Sequence, residues 1–521
     1  MQFGSLCTLG HGLGPWLGHG CRSRHSSIIS CMSVVRMTHR AMSSKVLNLD
    51  TLNPCIKDME YSVRGPIVIK AVGLEKELKQ GVKKPYPSVI RANIGDCHAM
   101  GQKPMTFMRQ VIALCTYPPL MNDPTFPADA KAKAKRILGA CGGNSIGAYS
   151  ESPGIEIIRQ DVAAYIAKRD GGIPANPDQI MLSTGASDGI KAILKLLKQP
   201  DGAKKTGIMI PIPQYPLYSA TIVEYNMHQV GYFLDEDTNW SLDIGELKRA
   251  VDAARKVCEP RALCVINPGN PTGQVLTREN IERTIKFAKE EKLLLMSDEV
   301  YQDNIYAPDR EFHSFKKVLT EMGGEYANME LASFHSTSKG YMGECGYRGG
   351  YCEFVNFDPQ VVAMLQKSIS AKLCPSISGQ VAMDVVAAPP QPGDPSYELF
   401  MKEKTHVLDA LKMKAQMTVE MLNSLPNMTC NTVQGAMYAF PQITVPEKAI
   451  KKAKSEGKAP DFMYAYELLE EKGLCIVPGS GFGQRPGTYH FRMTILPPPE
   501  RLKEFLERLK VFHIGFLKRY E

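Results

Sequence analysis

The sequence lacks the features that mark several specialised classes of protein. No apolar run approaches the roughly 18 residues that a membrane-spanning helix needs, so no transmembrane segment is predicted. The 14 cysteines include no Cys-x-x-Cys pair, which argues against zinc ribbons and disulfide frameworks. The histidines show no metal-ligand spacing, and no metal site is predicted. The 521 residues are 44% hydrophobic and 22% charged, values typical of a globular protein large enough for two domains.

Acidic residues are absent from residues 1–45, which carry five basic side chains and are rich in Ser, His and Gly. Subtracting these five charges from the net charge of +8 leaves +3 for the rest of the chain, so no nucleic-acid-binding surface is predicted. A basic, acid-free leader without a secretory apolar core is typical of a mitochondrial transit peptide. The alternative is a disordered cytosolic extension. We therefore expect the mitochondrial matrix, with the cytoplasm as the alternative location, and no membrane partner.

Short β-rich runs alternate with helical segments in the middle of the chain. The strand candidates are 180–184, 207–211, 229–234, 262–267, 293–297 and 331–336. One of the intervening helices is predicted over 278–292, with Thr277 as its N-cap. Such alternation predicts an α/β fold with a mostly parallel sheet. Ligands of these sheets bind at the carboxyl ends of the strands.

The C-terminal region predicts a smaller α+β domain. A long helix at 399–424 precedes strand-like runs at 435–441, 473–477 and 489–495, and an amphipathic helix closes the chain. A lysine-rich insertion at 448–458 is interpreted as a solvated helix. The predicted organisation is a leader (1–45), an N-terminal arm with part of the small domain (46–110), a large cofactor-binding domain (111–385) and the small C-terminal domain (386–521).

The stretch around Lys339 carries the strongest chemical signal. Ser336-Thr337-Ser338-Lys339 is followed nine residues later by Arg348. A lysine amine can bond to the aldehyde of pyridoxal phosphate, while small hydroxyl groups and an arginine can hold its phosphate. By itself the pattern is weak, because most lysines are solvated surface charges.

A second phosphate-binding element is predicted at 183–189, between a strand and a helix. Helix N-termini present unpaired N–H groups and a partial positive charge. Ala186, Ser187 and Asp188 would offer backbone N–H groups and a hydroxyl group to a phosphate. Further along, Tyr215 follows a strand, and its ring can lie flat against a planar cofactor. The structural alternatives are a tight turn and a core tyrosine.

Two further strand ends supply groups for a cofactor ring. Asn270 lies in the loop 267–273 and can donate a hydrogen bond to a phenolic oxygen of the ring. Tyr301 can contact the same oxygen. The carboxylate of Asp298 can pair with a pyridine nitrogen, keep it protonated and make the ring an electron sink. Acid–tyrosine pairs at strand ends also occur for structural reasons.

One arginine interrupts an apolar strand near the C-terminus. Arg492 lies between Phe491 and Met493, and a guanidinium in an apolar setting needs an anionic partner. A carboxylate can bind it through two hydrogen bonds. A substrate carboxylate is therefore one candidate partner, and a buried structural ion pair is the alternative.

Together, these segments resemble the fold-type I, class I/II family of aminotransferases, which use pyridoxal 5'-phosphate. The resemblance covers most of residues 50–521 and is closest in the runs 92–96, 211–218 and 335–348. It implies an α/β fold of type I, with a mostly parallel central sheet in a large domain and a smaller α+β domain. It also implies a homodimer with shared active sites, in which Tyr149 would reach the phosphate of the neighbouring subunit.

The resemblance also implies a role for each matching residue. Lys339 would bond to the cofactor aldehyde and later transfer a proton, Asp298 would pair with the pyridine nitrogen, and Tyr215 would stack on the ring. Asn270 and Tyr301 would contact the phenolic oxygen. The implied phosphate ligands are Ala186, Ser187, Ser336 and Arg348. The substrate carboxylate would bind Arg492, close to Gly95 and Asn270.

The implied reaction is amino transfer from L-alanine to 2-oxoglutarate, which gives pyruvate and L-glutamate by a ping-pong mechanism. No second arginine for a side-chain carboxylate is located, which is consistent with alanine. One alternative is another class I/II enzyme, such as a kynurenine-type aminotransferase or an aminocyclopropane-carboxylate synthase-like lyase. The other is a pyridoxal-phosphate-binding regulatory module without catalysis.

Overall fold

The computed structural model describes residues 45–61, 65–200, 202 and 204–521. The chain divides after Leu52 into a short N-terminal unit and a large compact unit, Asn53–Glu521. In the short unit, the described residues form bends and turns, and the Asn48 carboxamide oxygen accepts a hydrogen bond from the Asp50 amide at 2.9 Å. The predicted leader, 1–45, lies almost wholly outside the described residues.

The elements of the described chain are numbered in chain order. The α-helices are α1 (Pro54–Asp58), α2 (Pro66–Lys79), α3 (Thr106–Thr116), α4 (Ala128–Gly139), α5 (Glu156–Arg169), α6 (Ala186–Leu197), α7 (Pro216–Glu224), α8 (Ile244–Ala254), α9 (Arg278–Glu290), α10 (Phe315–Met322), α11 (Pro359–Ser370), α12 (Ile377–Ala387), α13 (Tyr397–Asn423), α14 (Glu447–Ser455), α15 (Pro460–Lys472) and α16 (Pro499–Tyr520). The strands are β1 (Ile90–Arg91), β2 (Ile180–Thr184), β3 (Thr206–Ile212), β4 (His228–Phe233), β5 (Glu259–Ile266), β6 (Leu294–Asp298), β7 (Leu331–Ser336), β8 (Gly349–Val355), β9 (Met428–Thr429), β10 (Tyr438–Ala439), β11 (Gln442–Ile443), β12 (Leu474–Cys475), β13 (Val477–Pro478) and β14 (Phe491–Thr494). Among these helices, none combines the length and the apolar character needed to cross a bilayer.

Within the described residues, seven strands form a central sheet in the order β2-β8-β7-β6-β5-β3-β4. Parallel pairing runs from β4 through β3, β5 and β6 to β7, whereas β8 is antiparallel to both of its neighbours. The prediction of an α/β fold with a mostly parallel sheet is confirmed, and the six strand candidates correspond to β2–β7. The sequence does not predict β8, because its opening pair Gly349-Gly350 has low strand propensity.

Helix α9 illustrates how local sequence positions the helices against this sheet. The Thr277 hydroxyl accepts a hydrogen bond from the Asn280 amide at 3.2 Å, which confirms the predicted N-cap. Ile281, Ile285 and Ala288 are buried on one face of the helix and pack with residues of β5 and β6. Burial of this apolar face, rather than helix propensity alone, stabilises the helix in place.

The C-terminal region forms smaller sheets. β14 pairs antiparallel with β10 and β13, β11 pairs antiparallel with β9, and β1 pairs in parallel with β12. The predicted helices 399–424 and 448–458 correspond to α13 and α14. The run 435–441 was expected to be one strand, but only Tyr438 and Ala439 form β10, because Ala436 has a left-handed φ of 59° that interrupts extended backbone. The predicted domain boundaries near residues 110 and 385 stay predictions.

Several strands of the central sheet end at the same edge. Because β2 is antiparallel to β8, and β8 is antiparallel to β7, β2 runs in the same direction as β7. The carboxyl ends of β2, β3, β5, β6 and β7 therefore lie at one edge of the sheet. The loops that follow these strands carry most of the residues that the sequence predicts for the site.

Strand β8 and helix α12 approach each other at glycines. A Cβ on Gly379 would lie 2.5 Å from the Arg348 carbonyl oxygen and 2.7 Å from the Tyr347 carbonyl oxygen. A Cβ on Gly349 would likewise overlap the Gly379 carbonyl oxygen. The absence of side chains here lets α12 pack directly on the backbone of Arg348, which has a left-handed φ of 60°.

We expect Gly379→Ala to destabilise the protein by about 1–3 kcal/mol, because the added methyl group has no space between the two backbones. Gly515→Ala in α16 is the matched control, since a Cβ there would meet no atom within 4 Å. That change should stabilise the helix by about 0.5–1 kcal/mol. Urea-unfolding midpoints of the purified variants measure both effects. Stabilisation by both substitutions would contradict the close approach of β8 and α12.

Candidate active site

A cavity of about 180 Å³ opens at the carboxyl edge of the central sheet. Its walls come from the ends of β2, β3, β5, β6 and β7 with the loops that follow them, from the start of α6 and from β10. The lining residues are Ala186, Ser187, Ile190, Tyr215, Leu217, Ile266, Asn270, Asp298, Val300, Tyr301, Ser336, Ser338, Lys339, Cys345, Arg348 and Tyr438. Most of the residues predicted from the sequence are therefore brought together.

Lys339 lies in the loop between β7 and β8 and lines the cavity. Its Nζ donates a hydrogen bond to the Gly95 carbonyl oxygen at 2.7 Å and lies 5.7 Å from the centre of the Tyr301 ring. Burial lowers the pKa of this amine, but the neighbouring Tyr438, Cys345 and Cys97 together raise it by more, so the net shift of the pKa is upward. Gly95 thus contacts the amine through its backbone.

Asp298 ends β6 and presents a buried carboxylate to the cavity. Its Oδ2 accepts a hydrogen bond from the Tyr218 hydroxyl at 3.1 Å. Burial raises the pKa of the carboxyl to about 6, although the hydrogen bonds from Tyr218 and the Val300 amide oppose the rise. A cation placed against this carboxylate would favour its ionised form.

Another part of the cavity wall has the chemistry of an anion site. Helix α6 begins at Ala186, directly after Gly185, whose left-handed φ of 79° turns the chain from β2 into the helix. The Arg348 Nη2 donates to the Ser187 hydroxyl oxygen at 3.3 Å, and the Ser336 side chain also lines the cavity. A helix N-terminus, a guanidinium and two hydroxyl groups are suitable ligands for a phosphate.

The residues predicted to surround a cofactor ring also line the cavity. Tyr215 directly precedes α7, and its hydroxyl oxygen lies 3.4 Å from that of Tyr61. Tyr301 donates a hydrogen bond to the Tyr438 hydroxyl oxygen at 3.2 Å. The Asn270 side chain is buried in the loop after β5. These three predicted residues approach the cavity from three different strand ends.

Arg492 is a buried guanidinium that makes no ion pair with any described carboxylate. Its Nη1 donates to the Asn270 Oδ1 at 3.0 Å and its Nη2 donates to the Asn93 carbonyl oxygen at 2.7 Å, while Nε has no partner among the described residues. The guanidinium carbon lies 4.2 Å from the centre of the Tyr438 ring and 4.7 Å from that of Phe482. Because an unpaired buried charge is costly, this arrangement favours binding of an external anion.

Two predicted cofactor ligands lie outside the cavity lining. The Asp188 carboxylate pairs with Lys372 and accepts a hydrogen bond from the Thr184 amide. The Asp188 amide donates to the Gly185 carbonyl oxygen at 3.1 Å, so neither group of this residue faces the cavity. Tyr149 is 77% exposed on the protein surface.

Tyr218 and Tyr438 are among the residues of the site that the sequence does not predict. Tyr218 lies three residues after Tyr215, and this helical spacing is a signal that both side chains lie on one side of α7. No sequence pattern marks Tyr438 as a site residue, because the segment that contains it, 435–441, predicts only a strand. It reaches the site through the register of β10 with β14, in which Tyr438 is opposite Thr494.

Comparisons with known proteins agree with this geometry. The family model for aminotransferases of class I and II matches residues 109–509. Alanine aminotransferase 2 from Xenopus laevis is 62% identical over 486 residues, which are 93% of this chain and 90% of the relative. A protein from Dictyostelium discoideum named probable alanine aminotransferase, mitochondrial, is 45% identical over 497 residues, covering 93% of this chain and 91% of the relative.

The fold is also similar to solved structures. The structure of alanine aminotransferase from Pyrococcus furiosus matches with a TM-score of 0.70 and 24% sequence identity, over 89% of this chain and 100% of that chain. That likeness concerns the fold, whereas the family model and the relatives match the sequence itself over most of its length. The chain belongs to the class I and II aminotransferase family.

Proposed function

We propose that this chain transfers the amino group of L-alanine to 2-oxoglutarate, forming pyruvate and L-glutamate, with pyridoxal 5'-phosphate as cofactor. Membership in the family supports the use of this cofactor and of amino acid and oxo acid substrates. The observation that carries the proposal is a single cavity lined by Lys339, Asp298 and Arg348, with Arg492 bonded to a residue of its wall. The names of the relatives support alanine as the amino donor.

The residues around the cavity fit the parts of this cofactor. When bound, pyridoxal phosphate supplies an aldehyde that bonds to amines and a ring that withdraws electrons from the substrate. Ala186, Ser187, Ser336 and Arg348 would hold the phosphate, because they offer positive charge and hydrogen-bond donors. The buried Asp298 carboxylate, which makes no ion pair with a described residue, would receive the protonated ring nitrogen.

The remaining wall of the cavity would orient the ring. Tyr215 would lie against one of its faces, where aromatic stacking contributes about 0.5–1.5 kcal/mol beyond burial. Tyr301 and the Asn270 amide would donate hydrogen bonds to the phenolic oxygen. Since these side chains come from different strand ends, the ring would be held from several directions at once.

Lys339 would be the base of the reaction. Its Nζ would hold the cofactor aldehyde until the amine of the substrate takes its place. The freed Nζ would then accept the proton from the substrate α-carbon, and a base placed in this way contributes about 10²–10⁴-fold to the rate. The hydrogen bond to the Gly95 carbonyl oxygen, seen at 2.7 Å, would keep the amine in the cavity while it is free.

Arg492 would bind the α-carboxylate that all four reactants share. Two parallel hydrogen bonds to a carboxylate would satisfy the guanidinium, whose Nε has no partner in the described structure. Gly95 would keep space beside Lys339, since a Cβ on residue 95 would lie 3.0 Å from Lys339 Nζ and would overlap the Tyr438 hydroxyl. Substrate would therefore bind between Arg492 and Lys339.

The assembly and location of the protein are further parts of the proposal. A homodimer would let the exposed Tyr149 of one protomer reach the phosphate bound by its partner. The basic, acid-free leader would direct the chain to the mitochondrial matrix, which the name of the Dictyostelium discoideum relative supports. The large domain (111–385) would then carry the cofactor, and the small domain (386–521) would carry Arg492.

The half-reaction with a single substrate tests the proposal. L-Alanine alone should abolish the visible absorbance of the lysine-bound cofactor and release one pyruvate per site, and 2-oxoglutarate should restore the absorbance. Lys339→Ala should lack both the absorbance and turnover, whereas Lys367→Ala, on the exposed side of α11, should keep both. Continuous product release without an oxo acid would indicate a lyase. A Lys339→Ala variant that keeps the absorbance and turnover would disprove the assignment of Lys339.

Arg492→Lys should lower kcat/KM for L-alanine by about 10- to 100-fold, because it keeps the charge but loses the two-pronged hydrogen bonding worth about 1.5–3 kcal/mol. The visible absorbance of the bound cofactor should remain, since Arg492 is not a cofactor ligand in the proposal. Steady-state kinetics and an absorbance spectrum of each variant measure these outcomes. An unchanged kcat/KM would remove Arg492 from the substrate site.

Asp298→Asn should stabilise the cofactor-free protein at pH 8 by about 1–3 kcal/mol, because it removes an ionised carboxylate from a buried position. The pKa of Asp298 rises from 3.8 to about 6 on folding, so the folded state binds its proton more tightly. The group therefore lowers stability as the pH rises through this range, and the gain from Asn should be absent at pH 4. Asp409→Asn, at an exposed position on α13, is the control. Unfolding midpoints measured at pH 8 and at pH 4 show whether the substitution stabilises the protein at each pH.

A further inference from the structure

Tyr438 occupies the centre of the site, although the proposed reaction gives it no role. It belongs to β10, is 3% exposed and lines the cavity. The strand next to it, β14, carries Arg492. Its side chain therefore lies between the residue proposed to bind the substrate carboxylate and the residue proposed to act as the base.

The Tyr438 oxygen faces hydrogen-bond donors and positive charge. The Tyr301 hydroxyl donates to it at 3.2 Å. The Arg492 guanidinium lies over the Tyr438 ring, 4.2 Å from its centre. Both the Tyr438 hydroxyl and Lys339 Nζ lie within 3.0 Å of the point where a Cβ of residue 95 would stand, so glycine at this position lets the two groups approach each other.

These surroundings favour a negative charge on the Tyr438 oxygen. Burial raises the pKa of the hydroxyl, but the charges of Lys339 and Arg492 and the hydrogen bond from Tyr301 lower it by more, so the net shift of the pKa is downward. The titratable groups that face it from the surrounding elements are Lys339, Arg492, Tyr301, Tyr215 and Cys345.

We propose that Tyr438 accepts the proton that Lys339 must lose before this lysine acts as a base, and that a carboxylate bound at Arg492 promotes the transfer. In this step one N–H bond of the Lys339 ammonium breaks, the electron pair stays on Nζ, and an O–H bond forms on Tyr438. The inference rests on the proposed function, in which Lys339 acts as a free amine.

The coupling follows from the position of Arg492. A substrate carboxylate would neutralise the guanidinium above the Tyr438 ring and thereby remove one of the two charges that favour the phenolate. The affinity of Tyr438 for a proton would rise at the moment when substrate binds. Tyr438 would then take the proton from Lys339 once its amine is free and while the carboxylate is bound at Arg492.

A purely structural role for Tyr438 makes a different prediction. If the ring served only as a platform for the Arg492 guanidinium, phenylalanine would replace it without loss, because the cation–π contact needs the ring and not the hydroxyl group. Tyr438→Phe therefore separates the two roles. Tyr117→Phe, at an exposed position, is the matched control.

The decisive experiment titrates tyrosinate by its ultraviolet absorbance in enzyme loaded with pyridoxamine phosphate, a form in which Lys339 is not covalently bound. The wild-type protein and Tyr117→Phe should show one tyrosine that ionises below the usual midpoint of about 10, and Tyr438→Phe should lack it. Saturating propionate, which has a carboxylate but no amine, should move that midpoint to higher pH. A wild-type protein without such a tyrosine, or a midpoint that does not change when propionate is added, would overturn the proposal.

Kinetics provide an independent readout. Tyr438→Phe should lower kcat for L-alanine by about 10²-fold at neutral pH, and the loss should shrink at alkaline pH, where Lys339 loses its proton to solvent. KM should change little, because Arg492 keeps its aromatic platform. No loss of kcat in Tyr438→Phe, or an equal loss at every pH, would overturn the proposal. Since the tyrosinate titration needs no turnover, a failure of the alanine reaction would be distinguishable from a failure of this inference.

Discussion

Parallel pairing of β3, β5, β6 and β7 is the constraint on which the site depends. Parallel strands need crossover connections, so the loops after these strands all begin at the same edge of the sheet. Tyr215, Asn270, Asp298 and Lys339, which are far apart in the sequence, can therefore meet in one cavity. The sheet is covered by helices on both faces. The closely packed core therefore holds the side chains at its edge in place.

The charges around the cavity make the site dependent on its ligands. Lys339, Arg348 and Arg492 contribute three cations, whereas Asp298 is the one acidic residue that lines the cavity in the described chain. An excess of buried positive charge is costly unless anions balance it. The cofactor phosphate and the substrate carboxylate would supply that balance. Binding therefore favours the folded state by mass action, and the same excess charge would favour the phenolate of Tyr438.

The strands and the residues that end them could be predicted from the sequence because both signals are local. The six predicted strands match β2–β7, and Lys339, Asp298, Asn270 and Tyr215 all line the cavity. Asp188 shows the limit of such local signals. Its position at the start of α6 predicts that its backbone amide binds a phosphate. That amide donates to the Gly185 carbonyl oxygen at 3.1 Å, while Lys372, which is distant in the sequence, pairs with the Asp188 carboxylate. Motifs identify which residues approach a ligand, and competing contacts decide which of them remain available.

The sequence by itself determined the family, the α/β alternation and the residues that follow each strand, because these depend on short-range patterns of polarity, turns and caps. Only the tertiary structure decided that Tyr438 lies between Arg492 and Lys339, that Tyr218 bonds to Asp298, and that Gly379 lies against the backbone of Arg348. These relations arise from strand register and from the close packing of distant segments. No local pattern in the chain encodes them, since each requires two elements to be folded before they can meet.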